Sequence, residues 1–327
     1  LDPRIDALAT WLASFIGKKP QLEVVSGDAS FRRYFRFSHD NCSYIAVDAP
    51  VDTEDSRLFC ALANAYQQQQ INASEVIKAD FELGFMWQKD LGDQLLFNYL
   101  TPESMPHWYR KALNILPKIN RICVTELGSL DSYNHQLLDA ELEIFNEWLL
   151  QRTLAFEFTE QSLAAWQQLK DILISSALAQ PQVGIHRDFH SRNLMVNNDE
   201  LAVIDFQGAL IGPITYDLVS LLKDCYINCP QQVRAKLLSD FYQQLDLQGV
   251  EYSQFERWFD LMGAQRHLKA AGIFCRLNLR DGKSGYLKDV EATLNYLVEI
   301  ADKYRLPFIT EVLESQVLPS WRDQCGQ

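Results

Sequence analysis

The chain has 327 residues, 47% apolar and 22% charged, with Gly and Pro together only 25. That composition excludes collagen-like, low-complexity and wholly disordered chains and leaves a globular protein of one bilobed unit or about two domains. Lys and Arg number 30 against 43 Asp and Glu, a formal charge of −13, so the broad positive field needed to bind nucleic acid or an anionic membrane is missing and neither partner is expected. Seven cysteines, an odd number without CxxC spacing, read as reduced packing thiols; Cys225 and Cys229 lie one helical turn apart but have no second pair to complete a metal site. No basic stretch followed by an apolar run opens the chain and no run of about 18 apolar residues occurs, so a cytoplasmic protein is expected.

Asp2-Pro3 is an N-cap and first-turn pair, and Ile5, Leu8, Trp11, Leu12 and Phe15 then share one helical face up to Gly17. Short β-type runs follow at Leu22 to Val25, Tyr34 to Phe37 and Tyr44 to Val47, separated by a loop over 26–30 and a turn at His39-Asp40-Asn41. A helix is predicted over 55–70, a strand pair over 75–80 and 84–88, and a polar break over 89–93, which divides the chain into a first lobe, 1–90, and a second, 91–327. Beyond the break, helices are predicted over 108–122, 136–154, 159–178, 217–226, 231–244, 253–280 and 289–304. The one β signal there is a hairpin, Leu194 to Val196 and Leu201 to Ile204, around a turn at Asn197-Asn198-Asp199-Glu200.

If Val196 faces Leu201 across that turn, paired positions sum to 397, Asn193 faces Ile204 and lies diagonally beside Asp205. Asp188, five residues before Asn193, stands in the loop after Val183-Gly184-Ile185. Two carboxylates and an amide at one mouth are hard oxygen donors suited to Mg²⁺, with phosphate and water completing the shell. Asn193 and Asp205 are the expected metal ligands, leaving Asp188 to orient a substrate hydroxyl and accept its proton.

His186-Arg187-Asp188 with Asn193, and Asp205-Phe206-Gln207, resemble the catalytic loop and metal motif of protein-kinase-like phosphotransferases. Only twelve residues separate Asp205 from Asp217 and no A-P-E sequence follows, so no protein-kinase activation segment fits. His190 stands two positions after Asp188, where Ser/Thr kinases carry Lys, and GPITYDL closes the site, as in the aminoglycoside phosphotransferase family of small-molecule kinases. GDASFRRYFRF, IAVDAP, IHRDFHSRNLMV, VIDFQGALIGPITYDLVSLLKDCY and DLMGAQRHLKAAGIFCRLNLRDGKSGYL together resemble the anomeric N-acetylmuramate/N-acetylglucosamine kinases of bacterial cell-wall recycling. That resemblance implies an α+β, bilobed protein-kinase-like fold, with a small antiparallel β-sheet N-lobe and a larger, mainly α-helical C-lobe. It also implies ATP and Mg²⁺ as cofactors and transfer of phosphate to the C1 hydroxyl of an N-acetylated amino sugar, with no obligate protein partner.

The third-strand Lys of most kinases is missing: Ile45-Ala46-Val47-Asp48 puts an acid in that register, so the cation for the ATP phosphates is sought in Ser30, Arg32 or Arg33, with Glu54 as a partner acid. Adenine is expected against backbone near Trp87, Gln88 and Lys89. Glu143, His190, Arg266 and His267 are candidate acceptor contacts, Arg for its bidentate fork toward carboxylates. His186 and Asp217 are read as supports of the catalytic loop, and Gln207 as a metal-pocket or turn residue. Competing functions are a kinase of another small alcohol (aminoglycoside, choline or homoserine type), a nucleotide-binding scaffold without activity, and a metallohydrolase using His186, Asp188 and His190.

Overall fold

A computed structural model describes residues 2–26 and 32–325; Ser30, in the expected phosphate loop, lies outside them. Asp2 accepts the Arg4 N–H at 2.9 Å, Pro3 takes the first turn and Gly17 at φ 79° ends helix α1, Pro3–Ile16. Strands β1 (Glu23–Ser26), β2 (Arg33–His39) and β3 (Cys42–Asp48) precede helix α2 (Ser56–Gln68), which Asp55 caps; β4 (Val76–Asp80) and β5 (Phe85–Lys89) follow. They form one antiparallel five-stranded sheet in the order β1-β2-β3-β5-β4. Alternation sorts its side chains cleanly. Phe35, Phe37, Ala46, Phe85 and Trp87 pack with Leu8 and Leu12 of α1 on the outer face. Val47 and Met86, with Tyr34 and Ile45 against them, pack toward α2 on the inner face.

After β5 the chain turns helical: α3 (Met105–Leu113), α4 (Leu116–Ile119), a small hairpin β6 (Val124–Thr125) and β7 (Gly128–Ser129), α5 (His135–Ile144) and α6 (Glu160–Leu178). The helix predicted over 108–122 is two, broken around Asn114-Ile115, with Pro117 in the first turn of α4. The one predicted over 136–154 widens into a π-helical stretch, Phe145–Thr153. Strands β8 (Gln182–Ile185), β9 (Leu194–Asn197), β10 (Glu200–Val203) and β11 (Leu210–Pro213) build the site; α7 (Tyr216–Leu222), α8 (Gln231–Gln244), α9 (Tyr252–Asp281) and α10 (Val290–Tyr304) surround it. A π-helical stretch, Phe308–Val317, and α11 (Leu318–Cys325) close the chain, in a region for which the sequence pattern, punctuated by Pro307 and Pro319, predicted no element.

The two parts share one core. Phe59 and Tyr66 of α2 each stack on Phe206 with centroids 4.8 Å apart, and the Val203 and Val196 N–H groups donate to Asn72 and Gln94 carbonyls at 2.8 and 2.7 Å. Through α9 runs a buried ion pair, Lys223 with Asp260 at 3.1 Å, which Lys303 and Tyr304 of α10 extend. Helix α9 crosses α5 closely enough that a Cβ on Gly272 would lie 2.6 Å from the Ile144 carbonyl oxygen, at the point where α5 becomes π-helical. Backbone, not a yielding side chain, is what it would meet. Gly272→Ala should therefore lower stability by about 1–3 kcal/mol despite the better helix propensity of Ala, read as a lower urea midpoint; an unchanged midpoint would mean that the two helices separate freely.

Candidate active site

The β9–β10 hairpin has the pairing Glu200↔Asn197, Leu201↔Val196 and Val203↔Leu194, and the Ile204 N–H donates to the Asn193 carbonyl at 3.1 Å. Asn193 and Asp205 thus meet at its open end: Asn193 Nδ2 lies 3.4 Å from Asp205 Oδ2 and 3.0 Å from the Asp188 carbonyl oxygen. Gln207 Nε2 donates to Asp205 Oδ1 at 2.6 Å. Asp205 and Arg187 both have left-handed backbone, φ 64° and 76°. Non-glycine residues hold such conformations where their surroundings over-determine them.

Those surroundings are buried carboxylates and one imidazole. Asp217 on α7, 1% exposed, accepts the His186 N–H at 2.7 Å and the Arg187 N–H at 3.0 Å. His186 Nε2 donates to the Ile204 carbonyl at 3.0 Å while its Nδ1 accepts the Asp188 N–H, which assigns the neutral Nε2–H tautomer by its partners. Asp224, beyond α7, accepts both the N–H and the hydroxyl of Ser191. Four of the loop's polar groups are therefore fixed from one side.

Around Asp188 the field is cationic. Its depth in the cleft pushes the carboxyl up, but the positive charges around it, Lys269 foremost and Arg266 with it, outweigh that and hold it below the ordinary carboxylate value. Lys269 and Arg266 come from α9, one turn apart. Lys269 Nζ pairs with Glu141 at 2.8 Å and reaches the Tyr216 hydroxyl at 3.3 Å, and Glu141 also takes Arg187 and the Tyr133 hydroxyl. Burial works against the charge of Glu141, yet Lys269 and Arg187 keep it ionised. Neither Glu141 nor Lys269 was singled out from the sequence, although Lys269 ends the cation-dense segment Gln265-Arg266-His267-Leu268-Lys269.

The acceptor candidates divide. Arg266 is buried behind the loop, with Nη1 3.4 Å from Cys225 Sγ. His190 packs edge-on to Tyr226, its Nδ1 buried without a hydrogen-bond partner among the described residues, and burial lowers its pKa. Glu143 does not reach the site: it binds Lys170 at 2.7 Å and Asn146, away from the loop that Glu141 faces. His267 is a core residue, stacked on Tyr296 at 4.8 Å and donating from Nε2 to the Lys223 carbonyl at 2.9 Å; burial first, then Arg266, lowers its pKa to about 3.

On the nucleotide side the two arginines point apart. Arg32 is buried, pairs with Glu54 at 3.0 Å and stacks its guanidinium 4.9 Å from the Phe59 ring centroid. The Tyr34 hydroxyl, close enough to feel both Arg32 and Asp205, is pushed up by burial against the pull of Arg32. Arg33 sits on the outer face, bound to Asp48 and Asp2, so it is not available to phosphates. Asp48 likewise faces α1 rather than the cleft. Trp87 belongs to that outer face, against Phe37 and Tyr44, and only Gln88 of the three expected adenine neighbours turns its side chain inward, toward Met86. The backbone of β5 is taken up by pairing on both edges as far as Lys89, whose N–H donates to the Glu75 carbonyl at 3.0 Å, and the linker begins beyond it. There Leu91 joins Met195, Ala202, Leu95 and Ile204 in a small apolar cluster, and Arg36 ties the linker to β2 through Asp90 at 2.6 Å and Asp93 at 2.8 Å.

Burial raises the carboxyl of Asp217 from its ordinary 3.8 to about 6. The unfolded chain has lost this proton above 3.8 while the folded chain keeps it to about 6, so this group's contribution to stability falls as pH rises through that window, by about 3 kcal/mol for two units. Urea unfolding from about pH 4 to about pH 7 should show the wild type losing stability relative to Asp217→Asn across that window; parallel curves would mean that folded Asp217 titrates normally.

Residues 21–250 match the family described as APH, the phosphotransferase enzyme family. N-acetylmuramate/N-acetylglucosamine kinases of Pseudomonas putida and Neisseria meningitidis are 37% and 34% identical to the chain, over 96% and 91% of both lengths. Among solved structures, an ADP-bound aminoglycoside phosphotransferase has a TM-score of 0.59 at 17% identity, covering 92% of this chain and 99% of its own. The choline kinase LicA of Streptococcus pneumoniae scores 0.64 at 12% identity, covering 90% and 98%. With its five-stranded N-terminal sheet, its mainly helical C-terminal part and this match over most of its length, the chain belongs to the APH phosphotransferase enzyme family and is a phosphotransferase.

Proposed function

We propose that the chain is an ATP-dependent kinase that phosphorylates the anomeric C1 hydroxyl of N-acetylmuramate and N-acetylglucosamine. The observation that carries this reading is the meeting of Asp188, Asn193 and Asp205 at one mouth in a chain 37% identical to a kinase of those sugars over 96% of its length. Asn193 and Asp205 supply one amide oxygen and one carboxylate, too few for a self-contained metal cage and the usual share for Mg²⁺ that also binds phosphates. When bound, that ion supplies neutralisation of phosphate charge.

Arg32, held by Glu54 on the inner face, stands in for the absent third-strand Lys. Adenine occupies the space between Tyr34, Ile45 and Gln88 above and Met195, Ile204 and Leu91 at the linker. Asp188, kept ionised by its cationic surroundings, orients the C1 hydroxyl. The C1 oxygen forms a bond to the γ-phosphorus, the bond from that phosphorus to the bridging oxygen breaks with its electron pair leaving on ADP, and the hydroxyl proton passes to Asp188. Lys269 and His190 line the acceptor side, and Arg266, buried behind the loop, adds its positive charge. This cation-rich wall favours a neutral or anionic sugar over cationic choline or aminoglycosides.

Purified protein with Mg·ATP and each of N-acetylmuramate, N-acetylglucosamine, choline, homoserine and kanamycin should release ADP only with the amino sugars, and phosphorus NMR should place the new phosphate on C1. Turnover with another acceptor alone would overturn the substrate. Asp188→Asn should lower kcat by about 10²–10⁴-fold. Lys269→Met should lower kcat about tenfold with little change in KM for ATP, and Lys269→Arg should recover most of it; an unchanged kcat would remove Lys269 from the machinery.

A further inference from the structure

Asp48 is wholly buried at the end of β3, yet it is an acid in a protein with a large acidic excess. Two guanidinium groups share it: Arg4 of α1 binds Oδ1, with Nε at 2.9 Å, and Arg33 of β2 binds Oδ2, with Nε at 3.0 Å. Arg33 extends to Asp2, the cap of α1. A buried pair of this kind adds little net stability, because desolvation offsets the attraction, but it is costly to leave half-made and so it specifies position.

What it positions follows from strand geometry. Arg33↔Asp48 is the end rung of the β2–β3 ladder, the rung nearest residues 27–31. On the other edge of β2, pairing with β1 shifts register between Val24 and Ser26, so that edge does not define this end. Arg32 and Arg33 are neighbours of the same chemistry, and a slip of one residue would exchange their faces. With Arg33 bound outward, alternation turns Arg32 inward to Glu54 and Phe59.

We propose that Asp48 is a positioning residue for the nucleotide: by holding Arg33 on the outer face it fixes Arg32 on the inner face, over the phosphates. The acid at the end of β3, on the face away from the cleft, thereby secures the cation that takes the role of the third-strand Lys of most kinases. This inference rests on the reading of Arg32 as the phosphate cation.

The test is calorimetric titration of the full chain with Mg²⁺ and a non-hydrolysable ATP analogue, alongside KM for the sugar and a ligand-free melting curve. Asp48→Asn and Arg33→Met should weaken analogue binding about fivefold or more while leaving KM for the sugar within about twofold. Arg33→Lys should recover most of the loss, and Arg4→Met, which removes only the α1 arm, should bind the analogue normally. If Asp48→Asn does not fold, Arg33→Met carries the test, since Arg33 is 38% exposed and its loss leaves Asp48 paired with Arg4. Normal analogue binding by Arg33→Met, or equal losses for nucleotide and sugar, overturns the proposal. Arg32→Met separates the two claims: if it binds the analogue normally, the reading of Arg32 itself fails; if it binds weakly while Arg33→Met and Asp48→Asn bind normally, the anchor alone fails.

Discussion

The catalytic loop depends on two acids, Asp217 in the first turn of α7 and Asp224 just beyond its end. Asp217 takes two N–H groups at the head of the loop and Asp224 takes the N–H and hydroxyl of Ser191. Without these acceptors the left-handed backbone at Arg187 would relax and Asp188 would lose its orientation. The hairpin completes the clamp through His186, whose two ring nitrogens join the Ile204 carbonyl to the Asp188 N–H. One helix and the residue just past it thus cradle the loop that carries Asp188 and leads to Asn193.

Charge is distributed against the protein's own average. The chain carries −13 overall, yet the wall behind Asp188 is made of Arg187, Lys269, Arg266, His186 and His190, with Glu141 placed to satisfy Arg187 and Lys269 at once. This arrangement keeps a carboxylate ionised at the bottom of a cleft without leaving a bare cation beside it. The same logic recurs on the outer face of the sheet, where Asp48 gathers Arg4 and Arg33.

Much of the site was legible because it is local. The hairpin register follows from a four-residue turn, and the spacing of Asp188, Asn193 and Asp205 along that hairpin requires no knowledge of distant packing. What escaped was set by helix phase and strand parity. Glu143 and Glu141 are two residues, or about 200°, apart on α5, and only contact with α9 decides which one faces the loop. His267 sits beside Arg266 but a turn of 100° away, in the core against α10. Trp87 and Gln88 differ only in which face of β5 they occupy. The pairing of β8 with β11, with Leu210 opposite Ile185, joins segments more than twenty residues apart and leaves no local trace.

That non-local pairing explains how so short a segment completes the site. Between Asp205 and Asp217 the chain makes a single 3₁₀ turn, runs along β8 as β11 and enters α7. Asp205, the strand that supports the start of the catalytic loop and the acid that anchors that loop therefore lie on one continuous piece of backbone, each within a few residues of the next. Protein kinases place a long segment here whose ordering can be switched; this chain has no length in which to do so, and its loop is held by buried acceptors before any substrate arrives. The groups that come from the other part of the molecule are Arg32 and Glu54, joined to the metal motif through Phe59 and its stack on Phe206. Through that stack a movement of α2 is felt at the turn that carries Asp205, whereas Lys269, Arg266 and Glu141 reach the loop from α9 and α5.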